Sequence, residues 1–183
     1  LKHNEEFLDI IYKYYPKDIF PSDPLYIETP EYLARLSLQK ELIGQTDKID
    51  KFNKLKDEIG KDQGALVDDR SLSGGDLCYQ GVFWLKQPIG MYKVNRCAFN
   101  ISAIVDLYSV YMTNGSYYTL NGLMALEEIT LYKHISKFIE QSYPELSVFP
   151  LDLFHTRVPN VLSRKRYNDY ATYYECLVTD HYL

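Results

Sequence analysis

Glu128 is the ionisable residue of this sequence whose position best matches that of a catalytic acid or base. Apolar residues recur at helical spacing from 122 to 141, and Glu128 falls in the middle of the apolar face that they define. A carboxylate in apolar surroundings must be paired or protonated, because desolvation disfavours its charged form. Glu128 could therefore serve as a general acid or base. We expect a structural role instead, as the partner of an arginine such as Arg96 or Arg157 or at a helix end that is kinked toward solvent, since buried charges usually persist by pairing.

The histidines and cysteines do not have the spacing of a metal site or of a nucleophile with its base. Cys176 with His155 or His181 comes closest to a thiol and imidazole pair, but a thiol within an apolar strand is usually a core residue. Glu127 and His134 share the polar flank of the predicted helix, without the spacing of a metal-binding pair. The sequence therefore predicts no catalytic residue, no metal and no cofactor.

Two segments have the residue types of an anion site or a nucleic-acid site. Residues 71–76 read SLSGGD, and consecutive glycine amides can wrap an anion, but the segment lacks the lysine and the helix start of a phosphate-binding loop. Residues 164–166 read RKR, with Tyr167 and Tyr170 after them, and could contact RNA by stacking. On a chain of net charge −5, these bases fit a solvated loop or ion pairs with the sheet better. We expect no nucleic-acid partner.

The charge balance and the tyrosine content favour recognition of another protein. The chain has 25 acids against 20 bases, and 18 tyrosines against 8 phenylalanines. Charge steers the encounter with an oppositely charged partner, and tyrosine rings supply contact area at interfaces. Solubility and core packing explain any single one of these residues equally well. We expect a basic protein as the partner. The candidate partner-binding residues are Asp57, Glu58, Asp62, Asp68, Asp69, Asp76, Tyr117 and Tyr118.

The elements that would position these residues begin with three helices. The first is predicted from a cap at Asn4 to the residue before Pro16, and the second over 30–44, with threonine as its cap and proline at its first position. The third is predicted to begin at Thr46 or Asp47 and to end at Gly60. Because most of its residues are charged, we expect this third helix to be peripheral, with a loop after it.

Strand-forming residues dominate the second half of the chain. They predict strands over 77–86 and within 92–113, and Asn114-Gly115 has the chemistry of a two-residue type I′ hairpin turn. The helical spacing of 122–141 follows this hairpin. The apolar stretch 171–183 is predicted to return to the sheet as a strand.

This order of elements predicts the α+β class, with N-terminal helices followed by an antiparallel sheet packed against one long helix. At 183 residues the chain fits a single domain over 1–183, with a helical part over about 1–60 and a sheet-and-helix part over about 77–183. Its apolar runs are shorter than the roughly 18 residues that cross a bilayer, and the N-terminus lacks a signal pattern. We expect a cytoplasmic location and no membrane partner.

The sequence YYPK at Tyr14–Lys17, followed by TPEYLARL at Thr29–Leu36, resembles bacterial immunity-type proteins that are found beside polymorphic toxins. The closing segments VPNV at 158–161 and ECLVTD at 175–180 extend the resemblance. The resemblance implies a cytoplasmic inhibitor that binds and occludes a cognate toxin domain, with no catalytic residues to carry over. Two alternatives stay open, an enzyme of another family that uses Glu128 and a small-ligand module with an apolar cavity between sheet and helix.

Overall fold

A computed structural model describes residues 2–72, 75–116, 118–119, 124–166 and 168–179, with only the backbone for 2–4 and 118. These residues form five α-helices and eight β-strands. The helices are α1 (Lys2–Tyr14), α2 (Pro30–Gly44), α3 (Thr46–Gln63), α4 (Leu126–Ser142) and α5 (Tyr173–Leu177). The strands are β1 (Val67–Asp69), β2 (Cys78–Ile89), β3 (Val94–Ser102), β4 (Leu107–Thr113), β5 (Tyr118–Thr119), β6 (Ser147–Val148), β7 (Arg157–Leu162) and β8 (Tyr170–Thr172). Short 3₁₀ turns lie at Pro24–Glu28 and Leu151–Leu153.

The predicted α+β class is confirmed, with helices packed on a sheet. The main sheet has the order β1-β2-β3-β4-β5, and these strands are all antiparallel to their neighbours. The sheet is mixed, because β6 pairs with the start of β4 in parallel. A separate two-stranded sheet contains β7 and β8.

Both bounds of α2 were predicted correctly, whereas α1 and α3 each differ from the prediction at one end. The side chain of Thr29 accepts a hydrogen bond from the backbone N–H of Tyr32 at 3.3 Å, and α2 runs to Gly44 as expected. In contrast, α1 begins before the predicted cap at Asn4. The prediction that α3 ends at Gly60 is wrong, because Gly64 in the left-handed conformation ends it. Gly60 serves a close approach instead, since a Cβ there would lie 2.9 Å from the carbonyl oxygen of Ala65.

The helix α3 belongs to the main core and is not peripheral. It buries Phe52, Leu55 and Ile59 against one face of the sheet, and α4 buries Ile135 and Ile139 in the same cluster. The charged residues of α3 occupy the remaining part of its circumference, which misled the sequence-based prediction.

The opposite face of the sheet is covered by a second apolar cluster, which α1 shares with the C-terminal part of the chain. The prediction that 171–183 forms a strand of the main sheet is wrong. Residues 170–172 form β8, and α5 then begins with a capping box in which Thr172 and Glu175 each accept the other's backbone N–H, at 3.2 and 2.6 Å. Residues 180–183 lie outside the described part.

The hairpin between β4 and β5 exists, but its turn is not of type I′. Thr113 pairs with Tyr118, so four residues lie between the strands, and of Asn114 and Gly115 only the glycine has a positive φ, of 92°. The Asn114 side chain organises this loop by accepting the N–H of Ser116 at 2.9 Å and by donating to the carbonyl of Tyr92 at 2.7 Å.

Candidate functional site

An open groove of about 1050 Å³ lies between the C-terminal half of β2 and the side of α4. We call this feature the groove. The end of α3 contributes Gln63 to it, while β2 and α4 supply its two long walls. Its other lining residues are Phe83, Trp84, Leu85, Lys86, Gln87 and Ile89 from β2 and Leu126, Glu127, Thr130, Leu131, Lys133, His134 and Lys137 from α4.

A break in strand pairing creates the wall that β2 provides. Trp84 pairs with Arg96 and Ile89 pairs with Val94, so residues 85–88 stand opposite Asn95 alone. Such a bulge bends the strand, and Pro88 suits it because proline donates no ladder hydrogen bond. On the other side of β2 the pairing with β1 stops at Phe83. On the side of β1, the bulged segment therefore has no neighbouring strand among the described residues, and it borders the groove.

The groove has an apolar floor and two exposed apolar residues at its rim. Phe83 is buried in the main core, while Leu85, Ile89 and Leu131 are partly buried against it. At the rim, Trp84 is 57% exposed and Leu126 is 76% exposed. The guanidinium of Arg96 lies 5.1 Å from the centre of the Trp84 ring. A cation at this distance attracts the ring electrostatically, and more than half of Trp84 remains exposed.

Three lysines stand at the lips of the groove. Lys133 and Lys137 project from α4, and Lys86 projects from the bulge of β2. None of the three forms an ion pair with a carboxylate of the described residues. The ammonium of Lys86 lies near the C-terminal end of α3, because a Cβ at Gly64 would be 2.7 Å from it. The negative end of the helix dipole favours a cation there.

His134 connects the groove to the acidic residues of α3. Its Nε2 lies 2.7 Å from Oδ2 of Asp62, and its ring meets the ring of Phe138 edge-on at 5.3 Å. The hydrogen bond from His134 is the main cause that holds the pKa of Asp62 below its usual value. Asp62 therefore lies at the border between the groove and the predicted acidic surface.

Five of the predicted acidic residues are exposed on adjacent elements, and we call them the acidic ridge. An ion pair of 3.0 Å between Lys56 of α3 and Asp69 of β1 joins the two elements. Burial raises the pKa of Asp69, but hydrogen bonds from Ser71 and Lys56 outweigh it and lower the pKa overall. The acidic ridge consists of Asp57, Glu58, Asp62, Asp68 and Asp69.

The acidic ridge is less negative than the acids alone suggest. The helix α3 carries five acids and five lysines, so its formal charge is zero. The remaining negative charge of the ridge comes from Asp68 and Asp69 of β1, beside Arg70. Any electrostatic attraction of the ridge is therefore local and depends on which side chains face outward.

Asp76 does not extend the ridge. Asp76 is only 4% exposed and accepts a hydrogen bond from the hydroxyl of Thr179, so its prediction as a contact residue is wrong. The chain passes inward at this point to enter β2, which the sequence pattern did not reveal. Tyr117 and the side chain of Tyr118 lie outside the described residues.

Glu128 is buried, as its position on the apolar face predicted, and it caps α4. It is 1% exposed, and its Oε2 accepts the backbone N–H of Ala125 at 2.7 Å. Its Oε1 has no hydrogen-bond partner among the described residues and lies against Gly90, where a Cβ would be 2.5 Å away. Glu128 does not line the groove. The expected alternative, a helix end kinked toward solvent, is also wrong, because Glu128 is buried in the first turn of α4 and accepts a backbone N–H there.

The expected arginine partners of Glu128 are engaged elsewhere. Arg96 stacks on Trp84, and Arg157 lies 3.1 Å from a carboxylate oxygen of Asp169. The prediction of an ion pair with either arginine is therefore wrong. The basic run 164–166 supplies an ion pair inside the fold, since Arg166 donates to Glu175 at 2.8 Å.

The positions of Cys176 and His155 do not support a thiol and imidazole pair. Cys176 is buried in α5 and not on a strand, whereas His155 is exposed next to the ring of Phe154. His181 lies outside the described residues. Within the described ranges no group of three or more histidine, cysteine or acidic side chains could hold a metal ion. Of the predicted loop 71–76, residues 73 and 74 are also not described.

A buried polar chain, which was not predicted from the sequence, crosses the second face of the sheet. Gln80 donates to Asn100 at 2.7 Å, Asn100 donates to Ser109 at 3.2 Å, and the Ser109 hydroxyl lies 2.8 Å from that of Tyr174. All four side chains are buried. Polar residues at inward positions of three adjacent strands were the available signal, but they gain meaning only once the register is known.

Comparisons with family models, with curated proteins and with solved structures found no match to this chain. None of the helices in the described ranges has the length and apolar character needed to cross a membrane.

Proposed function

We propose that this chain is a stoichiometric protein-binding inhibitor and, following the resemblance of its N-terminal segments, a bacterial cytoplasmic immunity protein that occludes a cognate toxin domain. One observation carries the proposal: an open apolar groove with an exposed tryptophan lies directly beside the acidic ridge. The groove supplies area that is favourable to bury, and the ridge supplies local charge for orientation.

The shape of the groove favours a protein partner over a small molecule. Small-molecule sites usually enclose most of their ligand, whereas this groove is open along its length between β2 and α4. Trp84 at the rim is of the residue type that most often dominates interface energetics. An isolated exposed leucine is ordinary, but Leu126 and Trp84 border one apolar floor.

The overall charge favours a basic partner. The chain carries a net charge of −5, and the acidic ridge lies next to the groove through the contact of Asp62 with His134. Opposite charge raises the association rate more than it lowers the dissociation rate. The ridge is therefore assigned to steering, and the groove to the strength of the complex.

The proposal is tested by capturing the partner on the purified chain and measuring the stoichiometry and kinetics of the purified complex. We expect one partner molecule per chain and at least a tenfold loss of affinity for Trp84→Ala, through faster dissociation. Replacing Asp57 and Glu58 with lysine should slow association several-fold at low salt.

The matched control replaces Glu5 and Asp9, two exposed acids of α1, with lysine, which changes net charge equally at another site. If this control slows association as much as the ridge variant does, the ridge has no specific role. A captured partner that binds Trp84→Ala as tightly as the native chain would remove the groove from the proposal. Failure to isolate any stoichiometric protein complex would overturn the proposed function itself.

A small-ligand module is the second candidate, because the volume of about 1050 Å³ is sufficient for an apolar ligand. Native mass spectrometry of the purified chain tests this candidate directly. A bound compound that is lost on replacing Leu131 with aspartate would favour it. The enzyme alternative receives less support, since the Glu128 carboxylate caps α4 and does not line the groove.

A further inference from the structure

We infer that the groove binds a short amphipathic segment of the protein partner whose apolar side chains are flanked by carboxylates. This inference rests on the proposed function and deepens it, because it specifies which chemistry the partner must present to the groove. It is carried by the juxtaposition of the apolar floor with the three lysines at the lips.

The pair Lys133 and Lys137 is unfavourable in the free protein. The two residues are four apart on α4, so their side chains neighbour each other on the same side of the helix. Like charges at this spacing repel, and neither lysine has a carboxylate partner in the described part of the chain. A carboxylate of a partner placed between them would relieve this repulsion, and no carboxylate of the described residues does so.

The opposite lip adds a third positive charge. Lys86 stands on the bulge of β2, across the groove from α4. Among the lining residues only Glu127 is acidic, and the nearby Asp62 is already engaged by His134. The groove is thus locally basic on a chain whose net charge is −5. An occupant with acidic flanks matches this pattern, whereas a basic segment would be repelled.

The length of the groove fits a segment of about three helical turns. The lining residues of α4 run from Leu126 to Lys137, which corresponds to roughly 16 Å at 1.5 Å per residue. Apolar anchors on one side of such a segment would reach the floor formed by Phe83, Leu85 and Leu131. Carboxylates at its edges would then lie near the lysines. A single alkyl carboxylate would leave most of this open surface uncovered.

The test selects peptides without knowledge of the partner. A phage-displayed library of random 16-residue peptides is panned on the native chain and counter-selected on the double variant Lys133→Glu with Lys137→Glu. Both exchanged side chains are exposed, and urea unfolding checks that the variant remains folded. We expect the enriched peptides to carry a net negative charge and apolar residues at spacings of three and four.

Trp84 is the single tryptophan of the chain and reports binding in the groove by its fluorescence. An enriched synthetic peptide should shift its emission to the blue and saturate at one peptide per chain. The same peptide with its acids replaced by lysine should bind the native chain at least tenfold more weakly. The unmodified peptide should bind the double variant more weakly by a similar factor. Exchange of Lys48 and Lys54 for glutamate, on the exposed side of α3, is the matched control and should leave binding unchanged.

Several results would overturn the inference. In the peptide experiments, these results are enrichment of basic peptides, equal binding of a peptide to the native chain and to the double variant, and enriched peptides that all fail to change the fluorescence of Trp84. Saturable binding of dodecanoate in place of peptides would also contradict it, and so would self-association of the chain that buries Trp84. The outcome is separable from that of the proposed function. A captured partner that binds the lysine double variant unchanged would refute the acidic-flanked segment and leave the inhibitor proposal standing.

Discussion

The Nε2 atom of His134 lies 2.7 Å from Oδ2 of Asp62, and this contact joins α4 to α3 at the end of the groove. It places a residue of the acidic ridge beside the apolar floor. The two helices also share the main apolar core, so the hydrogen bond is formed between elements whose positions are already fixed. A partner that covers both surfaces must therefore pass over this pair.

We predict that Asp62→Asn reduces the loss of stability in acid. The hydrogen bond from His134 lowers the pKa of Asp62 in the folded state below the ordinary value of 3.8. A lowered pKa contributes stability above the unfolded-state value, and this contribution disappears as the pH falls through the folded-state value. Because the pair is largely exposed, the contribution is about 0.5 kcal/mol or less. Urea unfolding at intervals from pH 6 to pH 2.5 measures it.

Asp50→Asn is the control, because Asp50 is an exposed carboxylate of the same helix. This variant should keep the native dependence of the unfolding free energy on pH below 4. The prediction is contradicted if Asp62→Asn and the native protein lose stability in parallel over that range.

We predict that Gly90→Ala destabilises the fold by about 2 kcal/mol. Gly90 has a φ of 72°, which strains a residue with a Cβ, and the added Cβ would lie 2.5 Å from Oε1 of Glu128. The carboxylate must then move and lose its hydrogen bond to the N–H of Ala125. Urea unfolding measures the change, and thermal unfolding should follow it.

Two further variants separate strain from displacement of the carboxylate. Gly44→Ala at the end of α2 has nothing within 4 Å of the new Cβ and should be neutral or slightly stabilising. The double variant Gly90→Ala with Glu128→Ala should cost less than the sum of its single variants, because the clash is absent. Additive costs would show that Glu128 is not displaced.

The features of the fold that could be predicted were those that depend on residues close together in the sequence. Thr29 followed by Pro30 specified the start of α2 because capping is local chemistry. The role of Gly60 was not predictable, since it depends on the return of the chain at Ala65. The C-terminal segment has the composition of a strand, but the capping box of Thr172 with Glu175 directs it into α5. A local capping signal therefore outweighed the strand propensity of the segment there.

The groove could not be predicted because its two walls meet only in three dimensions. The sequence predicted a strand that ends at residue 86, whereas β2 continues through a bulge to Ile89. The position of Glu128 on the apolar face was predictable from helical spacing, and its burial is as expected. Its role as the cap of α4 was not predicted, because the spacing placed the helix from residue 122, whereas α4 begins at Leu126, directly after Ala125.

We predict that Gly81→Ala destabilises the fold by about 3 kcal/mol. A Cβ at Gly81 would lie 2.2 Å from the Phe99 ring on the neighbouring strand, and that ring is fully buried in the main core. The core is packed too closely for the ring to move without displacing other side chains. Urea unfolding measures the loss, with Gly44→Ala again as the neutral control. Combining Gly81→Ala with Phe99→Leu should restore part of the loss, and no restoration would contradict the proposed clash.

We predict that Tyr174→Phe costs about 1–2 kcal/mol of unfolding free energy without changing the fold. The hydroxyl of Tyr174 lies 2.8 Å from that of Ser109 and accepts from the side-chain amide of Asn100 at 3.3 Å. Its removal leaves buried polar groups with fewer partners, which is more costly than losing an exposed hydrogen bond. Tyr170→Phe is the matched control, because Tyr170 is 41% exposed and its hydroxyl makes no hydrogen bond within the described residues. Equal stability of the two variants in urea unfolding would mean that the polar chain contributes nothing through Tyr174. We also expect Asn100→Leu to cost more unfolding free energy than Tyr174→Phe, because Asn100 forms hydrogen bonds with all three other members of the buried polar chain.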